Sequence, residues 1–438
     1  MILAGVSISL VVDKNGIIQK SKDARREYGQ AKANEQEDLS NLSDMIDEAT
    51  AEPTPKVDVN TKAGENSTIN GKKGTSKNPT IPKGYIPIDT VTSTWGDGST
   101  APSQDSVNHG LVIKDEQNNE WVWVPVDKGT LATMYEESSD EKTLCGTTGE
   151  RAVKTKLYSK TITIGTDSNK KTISRTTPGR TSGSREPDLV VGSNGTSYDA
   201  KDIYYKTILG DTGTKEQLAQ LFVDEYKAMI ESVSKYGGFY IGRYELSGTV
   251  TEPTETLGKT LTKTDWYNLY NACRSSKLQA SDKVKTQMIW GCQWDVTMNW
   301  LISSGAKTSD EVNKDSSTWG NYKNYNTANN YTEGTAGYEK NAGSLQNTGS
   351  SENWKANNIY DLAGNVWERT QEADRTIGRD NRGGSYDIVG SDFPASYRHG
   401  GILPDFSVRD FLRFSSHFNN KVILDTRAWA PVWRIIIK

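Results

Sequence analysis

The run Asn358-Ile-Tyr-Asp-Leu-Ala-Gly-Asn-Val-Trp-Glu368 holds the residues best suited to chemistry in this chain. Carboxylates at Asp361 and Glu368 bracket Gly364 and Val366, whose backbone carbonyls are further oxygen donors. Hard cations such as Ca²⁺ favour that mixture of carboxylate and carbonyl oxygen. Glycine set among aromatics marks a tight, backbone-defined turn rather than a regular helix or strand. A bound cation would be structural, pinning a loop whose backbone otherwise lacks partners. Two plainer readings stand beside this one. Asp361 can be a simple turn residue, and Glu368 can pair with Arg369 or Arg382.

Other chemistries find little support. The three cysteines, Cys145, Cys273 and Cys292, form no CxxC pair, which excludes a disulfide scaffold and a structural zinc site. A single Cys273–Cys292 bridge stays open. Only three histidines occur, too few for a His-based metal centre. GxSxG, HExxH, Walker and dinucleotide-binding patterns are all missing. A net charge of −4 gives no electrostatic footprint for nucleic acid.

The elements that must position these residues follow from periodicity. His109–Asp115 and Glu120–Val126 read as a hairpin around Asn118-Asn119. Leu218, Leu221, Phe222, Tyr226 and Ile230 share one face of a helix over 217–234. A strand over 239–245 follows Gly237-Gly238, then a helix over 265–274, then a strand end running into a helix over 288–301. Residues 137–215 are polar and weakly periodic, a loop-rich insertion with one hairpin near 156–173. The tail Trp429–Ile437 reads as a closing strand.

The front of the chain has a different character. Residues 2–12 are apolar but too few to span a bilayer, which needs about 20 residues. Residues 17–49 are charged and helical in pattern, basic first and acidic later, an order that opposes the helix dipole. Leu3-Ala-Gly-Val-Ser-Ile8 leading into Asn15-Gly-Ile-Ile18 resembles the end of a prepilin-type N-terminus of Gram-positive bacteria, lacking its cleavage motif. Pro-, Thr- and Lys-rich residues 51–83 carry hardly any large apolar side chain and read as a flexible spacer.

Asp361-Leu-Ala-Gly-Asn-Val-Trp-Glu368 and Arg382-Gly-Gly-Ser-Tyr386 resemble the signatures of formylglycine-generating-enzyme-like (sulfatase-modifying-factor) domains. Gly238-Phe-Tyr-Ile-Gly-Arg-Tyr-Glu245, the 266–274 block and Ile289-Trp-Gly-Cys-Gln-Trp-Asp295 resemble that family in order and character. The likeness runs from about 84 to 438, weakening at 137–215 and 303–353. It implies an α+β, C-type-lectin-like head with short helices, irregular twisted sheets and many loops. It also implies Ca²⁺ at Asp361, Gly364, Val366 and Glu368. Active members carry a copper-binding cysteine pair shortly after Arg-Gly-Gly-Ser. Here Ser385–Arg398 holds none, so no copper is expected and no catalytic residue is assigned.

The C-terminal organisation also resembles variable proteins of diversity-generating retroelements, which vary contact residues on a fixed lectin-fold frame. On that likeness Asp387, Ile388, Val389, Asp392, Phe393, Tyr397, His399, Gly400, Gly401, Ile402, Leu403, Asp405 and Phe406 are the candidate ligand contacts. Arg382–Tyr386 and Pro394-Ala-Ser396 are the frame. Ile388, Val389, Phe393, Ile402, Leu403 and Phe406 sit in non-periodic sequence, so at least three are expected to be exposed on loops. The resulting expectation is a pilin-like helix over 1–50, a linker over 51–83 and a head over 84–438 whose 382–438 region binds ligand. Such a chain is a non-catalytic adhesin displayed at the cell surface, through its N-terminal helix on a pilus or membrane. Its ligand is a protein or a glycan, not nucleic acid. An oxidase or other enzyme on the same fold, and a structural minor pilin, are the alternatives.

Overall fold

A computed structural model describes residues 54–88, 90, 107–127, 130–131, 208–213, 215–262, 264–374 and 378–402, with the backbone alone of several strands between 136 and 185. The chain divides into two units, 1–53 and 54–438, and every described residue belongs to the second. The helix expected over 17–49 and the strand at 429–437 lie outside the described residues.

In chain order the strands begin with β1 (Ile86–Ile88), β2 (Val112–Lys114) and β3 (Glu120–Pro125). Next come β4 (Glu136–Glu137), β5 (Lys142–Gly146), β6 (Val153–Ile164), β7 (Lys171–Arg180) and β8 (Ser184–Arg185). Helix α1 (Lys215–Tyr236) leads to β9 (Gly238–Gly242), and the pair β10 (Ser247–Gly248) and β11 (Pro253–Thr254) precedes α2 (Trp266–Cys273). Helices α3 (Gly291–Ser303), α4 (Ser309–Asn313) and α5 (Tyr325–Ala328) follow, then β12 (Lys355–Ala356) and β13 (Ile359–Tyr360). The described part closes with β14 (Glu368–Asp374), β15 (Gly378–Arg382) and β16 (His399–Ile402). Helices mix with small antiparallel sheets, so the class is α+β.

Sheet one has the order β1-β2-β3-β9. Both faces of β3 are covered: Val122 and Val124 join the main core, and Trp123 joins a second cluster with Tyr85 and Leu111. The last sheet runs β16-β15-β14-β8. The insertion carries a hairpin longer than expected, β6 pairing β7 from Thr155↔Arg180 to Ile164↔Lys171.

Helix starts and stops follow local chemistry. Asp265 caps α2, its carboxylate accepting the Asn268 N–H at 2.8 Å. Helix α1 stops at Gly237 (φ +74), whose N–H donates to the Val233 carbonyl. Helix α3 is buried over most of its length, including Cys292, Trp294, Val296, Met298 and Leu301, as befits the central helix of the core.

One expectation needs correction. Residues 54–83 are not a spacer but a coat packed on the head. Val57, Ala63, Ile69 and Ile81 are buried with Tyr85 and Trp123. Trp123 Nε1 donates to the Ser76 carbonyl at 2.9 Å and Tyr240 Oη to the Thr80 carbonyl at 3.1 Å. A Cβ on Gly237 would lie 2.5 Å from the Ser76 nitrogen, so the segment presses directly on the α1 terminus. A handful of small apolar anchors and a satisfied backbone suffice, which composition alone undercounts. Among the described residues no helix is long and apolar enough to cross a membrane.

Candidate functional site

The Asp361–Glu368 loop is built from left-handed backbone. Asp361 (φ 58), Gly364 (φ 76) and Asn365 (φ 53) all have positive φ. Asparagine, aspartate and glycine tolerate that region best. The Gly364 N–H donates to the Gly383 carbonyl at 2.7 Å, and Tyr386 N–H to the Asn365 carbonyl at 3.0 Å. Those two bonds tie the loop to the Arg382-Gly-Gly-Ser turn. Asn365 Nδ2 donates to Glu245 Oε2 at 2.6 Å, and its Oδ1 accepts Asn321 Nδ2 at 3.0 Å.

Gly364 is needed on two counts, its φ and its neighbour: an added Cβ would fall 2.3 Å from the Asn321 carbonyl oxygen. Gly364→Ala is therefore expected to lower stability by about 2–3 kcal/mol. A drop in the urea midpoint with an unchanged slope would report it.

Four carboxyl groups gather beneath this loop. Asp361, Glu245 and Glu255 are buried, and Glu368 is half-buried. Asp361 Oδ2 accepts from Thr348 Oγ1 at 3.0 Å and Gly349 N–H at 2.7 Å, whereas its buried Oδ1 accepts nothing. Burial lifts Asp361 to about 6. Burial, then the Asp361 charge, lifts Glu368 to about 8. Glu245 and Glu255 are held well above the usual carboxylate range by burial first and by their acidic neighbours second. Among the described residues none of the four forms an ion pair with Lys or Arg. The alternative pairing of Glu368 with Arg382 is not made, because that guanidinium goes to Asp295 and Glu372.

An orphaned buried oxygen and a group of unneutralised carboxyls fit a cation. Among the described residues no three His, Cys, Asp or Glu side chains converge to hold a metal by themselves. A metal here would have to draw on carbonyl and water oxygen, as Ca²⁺ does and Zn²⁺ does not.

Among the described residues the thiols do not assemble. Cys273 and Cys292 are both free. Cys292 lies in the main core, 3.5 Å from Tyr226 Oη, whereas Cys273 packs against the Trp266 cluster. Burial, aided by Glu255, pushes the Cys273 thiol up to about 12, far from a reactive thiolate.

The proposed contacts divide. Asp392 is exposed, and Asp387, Val389 and Tyr397 are half-buried. Ile388, Phe393 and His399 are buried, at 2%, 6% and 4% exposure, so three exposed apolar residues would have to come from Val389, Ile402, Leu403 and Phe406. Phe393 and His399 pack on Trp367 at centroid distances of 5.4 and 5.0 Å. Burial holds His399 down at about 4, so its imidazole is neutral near pH 7. Gly400, Gly401 and Ile402 lie in β16, and Leu403, Asp405 and Phe406 lie outside the described residues.

Tyr322, a residue that sequence reasoning passed over, ties both ends of the 383–393 loop to the core. Its hydroxyl meets the carbonyls of Gly383 at 2.7 Å and Phe393 at 2.9 Å. It sits in the non-periodic 303–353 stretch, where no local signal marks it. Glu245 was foreshadowed only as a carboxylate closing an apolar strand, and Glu255 by nothing. No protein-family model matches this chain, and no curated protein matches it.

Proposed function

We propose a non-catalytic ligand-binding protein with a C-type-lectin-like head of the formylglycine-generating-enzyme type, displayed at the cell surface as an adhesin. The observation that carries the reading is the contrast across 382–399. Arg382 and Ser396 are locked by the bond from Arg382 NH1 to the Ser396 carbonyl at 2.6 Å, while Asp387, Val389 and Asp392 reach solvent between them. A rigid buried frame with a partly exposed insert is what a recognition loop requires. The separation of Cys273 and Cys292 into different clusters supports the non-catalytic half of the proposal.

Within this reading Asp361 and Glu368, with the carbonyls of Gly364 and Val366, hold a structural Ca²⁺. The ion would neutralise the buried carboxyls and stiffen the loop beneath the recognition turn. Asp387, Val389, Asp392 and Tyr397 are the described contacts for a protein or glycan ligand. Leu403, Asp405 and Phe406 are added as contacts on the strength of the sequence resemblance alone.

Val389→Ala with Asp392→Ala is expected to weaken attachment to ligand-bearing cells by about tenfold or more. The thermal midpoint should stay nearly unchanged, because both side chains reach solvent. Binding to intact cells and to a glycan array, measured with the full chain, tests this. Aldehyde formed on a cysteine-containing sulfatase peptide in the presence of copper would instead make the protein an oxidase. A near-copy of the gene's 3′ end, carrying adenines where this gene differs and lying beside a reverse-transcriptase gene, would establish diversification.

A further inference from the structure

A second feature of the head lies on the inner side of the carboxyl group cluster. A cavity of about 160 Å³ opens between β9, α2 and the 359–369 segment. It is as large as an engineered cavity that admits benzene, roughly 150 Å³, and several times the volume of one water. Its walls are of two kinds. Leu269, Met288 and other aliphatic side chains form one, and Trp121, Tyr244 and Trp367 supply aromatic surface. Glu245, Glu255 and Glu368 also line it, against one guanidinium, Arg369.

Of these acids Glu255 is the most deeply buried. It is 4% exposed. Its carboxyl is met by the Tyr244 N–H and by no cation among the described residues. Glu245, by contrast, accepts from Thr260, Asn365 and Val366. Gly242 lets Glu255 lie flat on the strand, since a Cβ there would stand 2.1 Å from Oε1. A buried carboxyl with no cation to ionise against, facing a cavity walled by indole and phenol rings, is the environment that selects an organic cation as the missing counter-charge. A bare metal ion suits it poorly. The aliphatic wall offers no ligand, and no three acidic, His or Cys side chains converge among the described residues.

We propose that this cavity binds a small organic cation, an alkylammonium group seated against Glu255 with its carbon chain along Leu269 and Met288. The site is separate from the C-terminal recognition loop; it borders the calcium loop at Val366 and Glu368 but does not use Asp361, which is absent from its lining.

Calorimetric titration of the full chain with n-butylammonium, at saturating Ca²⁺ and again in chelator, tests the assignment, with n-butanol as the neutral counterpart. Saturable one-to-one binding of butylammonium but not butanol is expected. Glu255→Gln should weaken it by roughly thirtyfold, the lower range for removing one partner of a buried charge pair. At a pH high enough to ionise buried Glu255, the same substitution removes an unpaired charge at constant shape, so the ligand-free protein should melt higher there, which separates lost binding from lost folding. Leu269→Phe, which fills the cavity while leaving every carboxyl in place, should also abolish binding. Asp361→Asn should leave butylammonium affinity unchanged within about twofold, even where it removes the response to Ca²⁺. The proposal is overturned if butylammonium fails to saturate, if Glu255→Gln binds equally well, or if Ca²⁺ displaces the amine competitively. The last outcome would assign the cavity to the metal. Loss of cell attachment in Val389→Ala/Asp392→Ala without any change in amine binding would show that the two sites fail or stand independently.

Discussion

Asp295→Asn is expected to remove about 3–5 kcal/mol of stability, the largest single loss in the head. Asp295 and Glu372 face Arg382 and Arg398 in a closed ring of charges. Both Asp295 carboxylate oxygens are taken, one by Arg382 and the other by Arg398. Arg398 Nε also donates to Glu372 Oε1 at 3.0 Å, and Arg382 Nε stands 3.6 Å from Glu372 Oε2. Asp295, Glu372 and Arg382 are wholly buried, and Arg398 is 9% exposed. Removing one carboxylate leaves two guanidiniums facing a single negative charge where water cannot compensate. Native domains have only about 5–15 kcal/mol to lose, so the thermal midpoint should fall steeply. Asp295→Asn combined with Arg398→Gln should recover part of the loss, because the remaining pair is again neutral. A double variant no more stable than the single one would show that the charges do not act as a ring. The effect should reach the 382–396 segment too, since Arg382 NH1 bonds the Ser396 carbonyl and Trp294 Nε1 the Ala395 carbonyl at 3.1 Å.

The second large effect is a pH dependence that Ca²⁺ abolishes. Asp361 lies at about 6 and Glu368 at about 8, both above their ordinary values. A carboxyl raised in the folded state binds its proton more tightly there than in the unfolded chain. Stability is then greatest below the ordinary carboxylate value and declines as pH climbs through the raised one. In chelator the thermal midpoint should therefore fall between about pH 5 and pH 8, by an amount worth a few kcal/mol. Saturating Ca²⁺ favours the ionised carboxylates, so the decline should flatten and the midpoint at pH 8 should rise. Asp361→Asn should weaken the response to Ca²⁺ and soften the decline in chelator, since Asp361 is the acidic neighbour that raises Glu368. Identical melting curves with Ca²⁺ and with chelator across this range would remove the metal from the site.

Where an element depends on its immediate neighbours, the amino-acid order sufficed. Asp265 announces the start of α2 because a carboxylate one residue before a helix reaches its free N–H groups. Gly364 marks the tight loop because only a residue without Cβ fits beside Asn321. The hairpin of β2 and β3 and the amphipathic α1 follow from alternation and helical spacing.

Tertiary contact decided the rest. Composition makes 54–83 look like free linker, but Val57, Ile69 and Ile81 find a partner surface in Trp123 and Tyr85, far along the chain or reached only on folding. Ile388 and Phe393 carry no periodic signal of burial, yet both are buried, with Tyr322 bonded to the Phe393 carbonyl. The pairing of Arg382 with Asp295, and the approach of Glu255 to Glu368, join residues 87 and 113 positions apart. Local preference is set by sterics within a few residues, so it can name turns, caps and faces. Which charges are left facing one another in the interior is settled only when distant strands close over them.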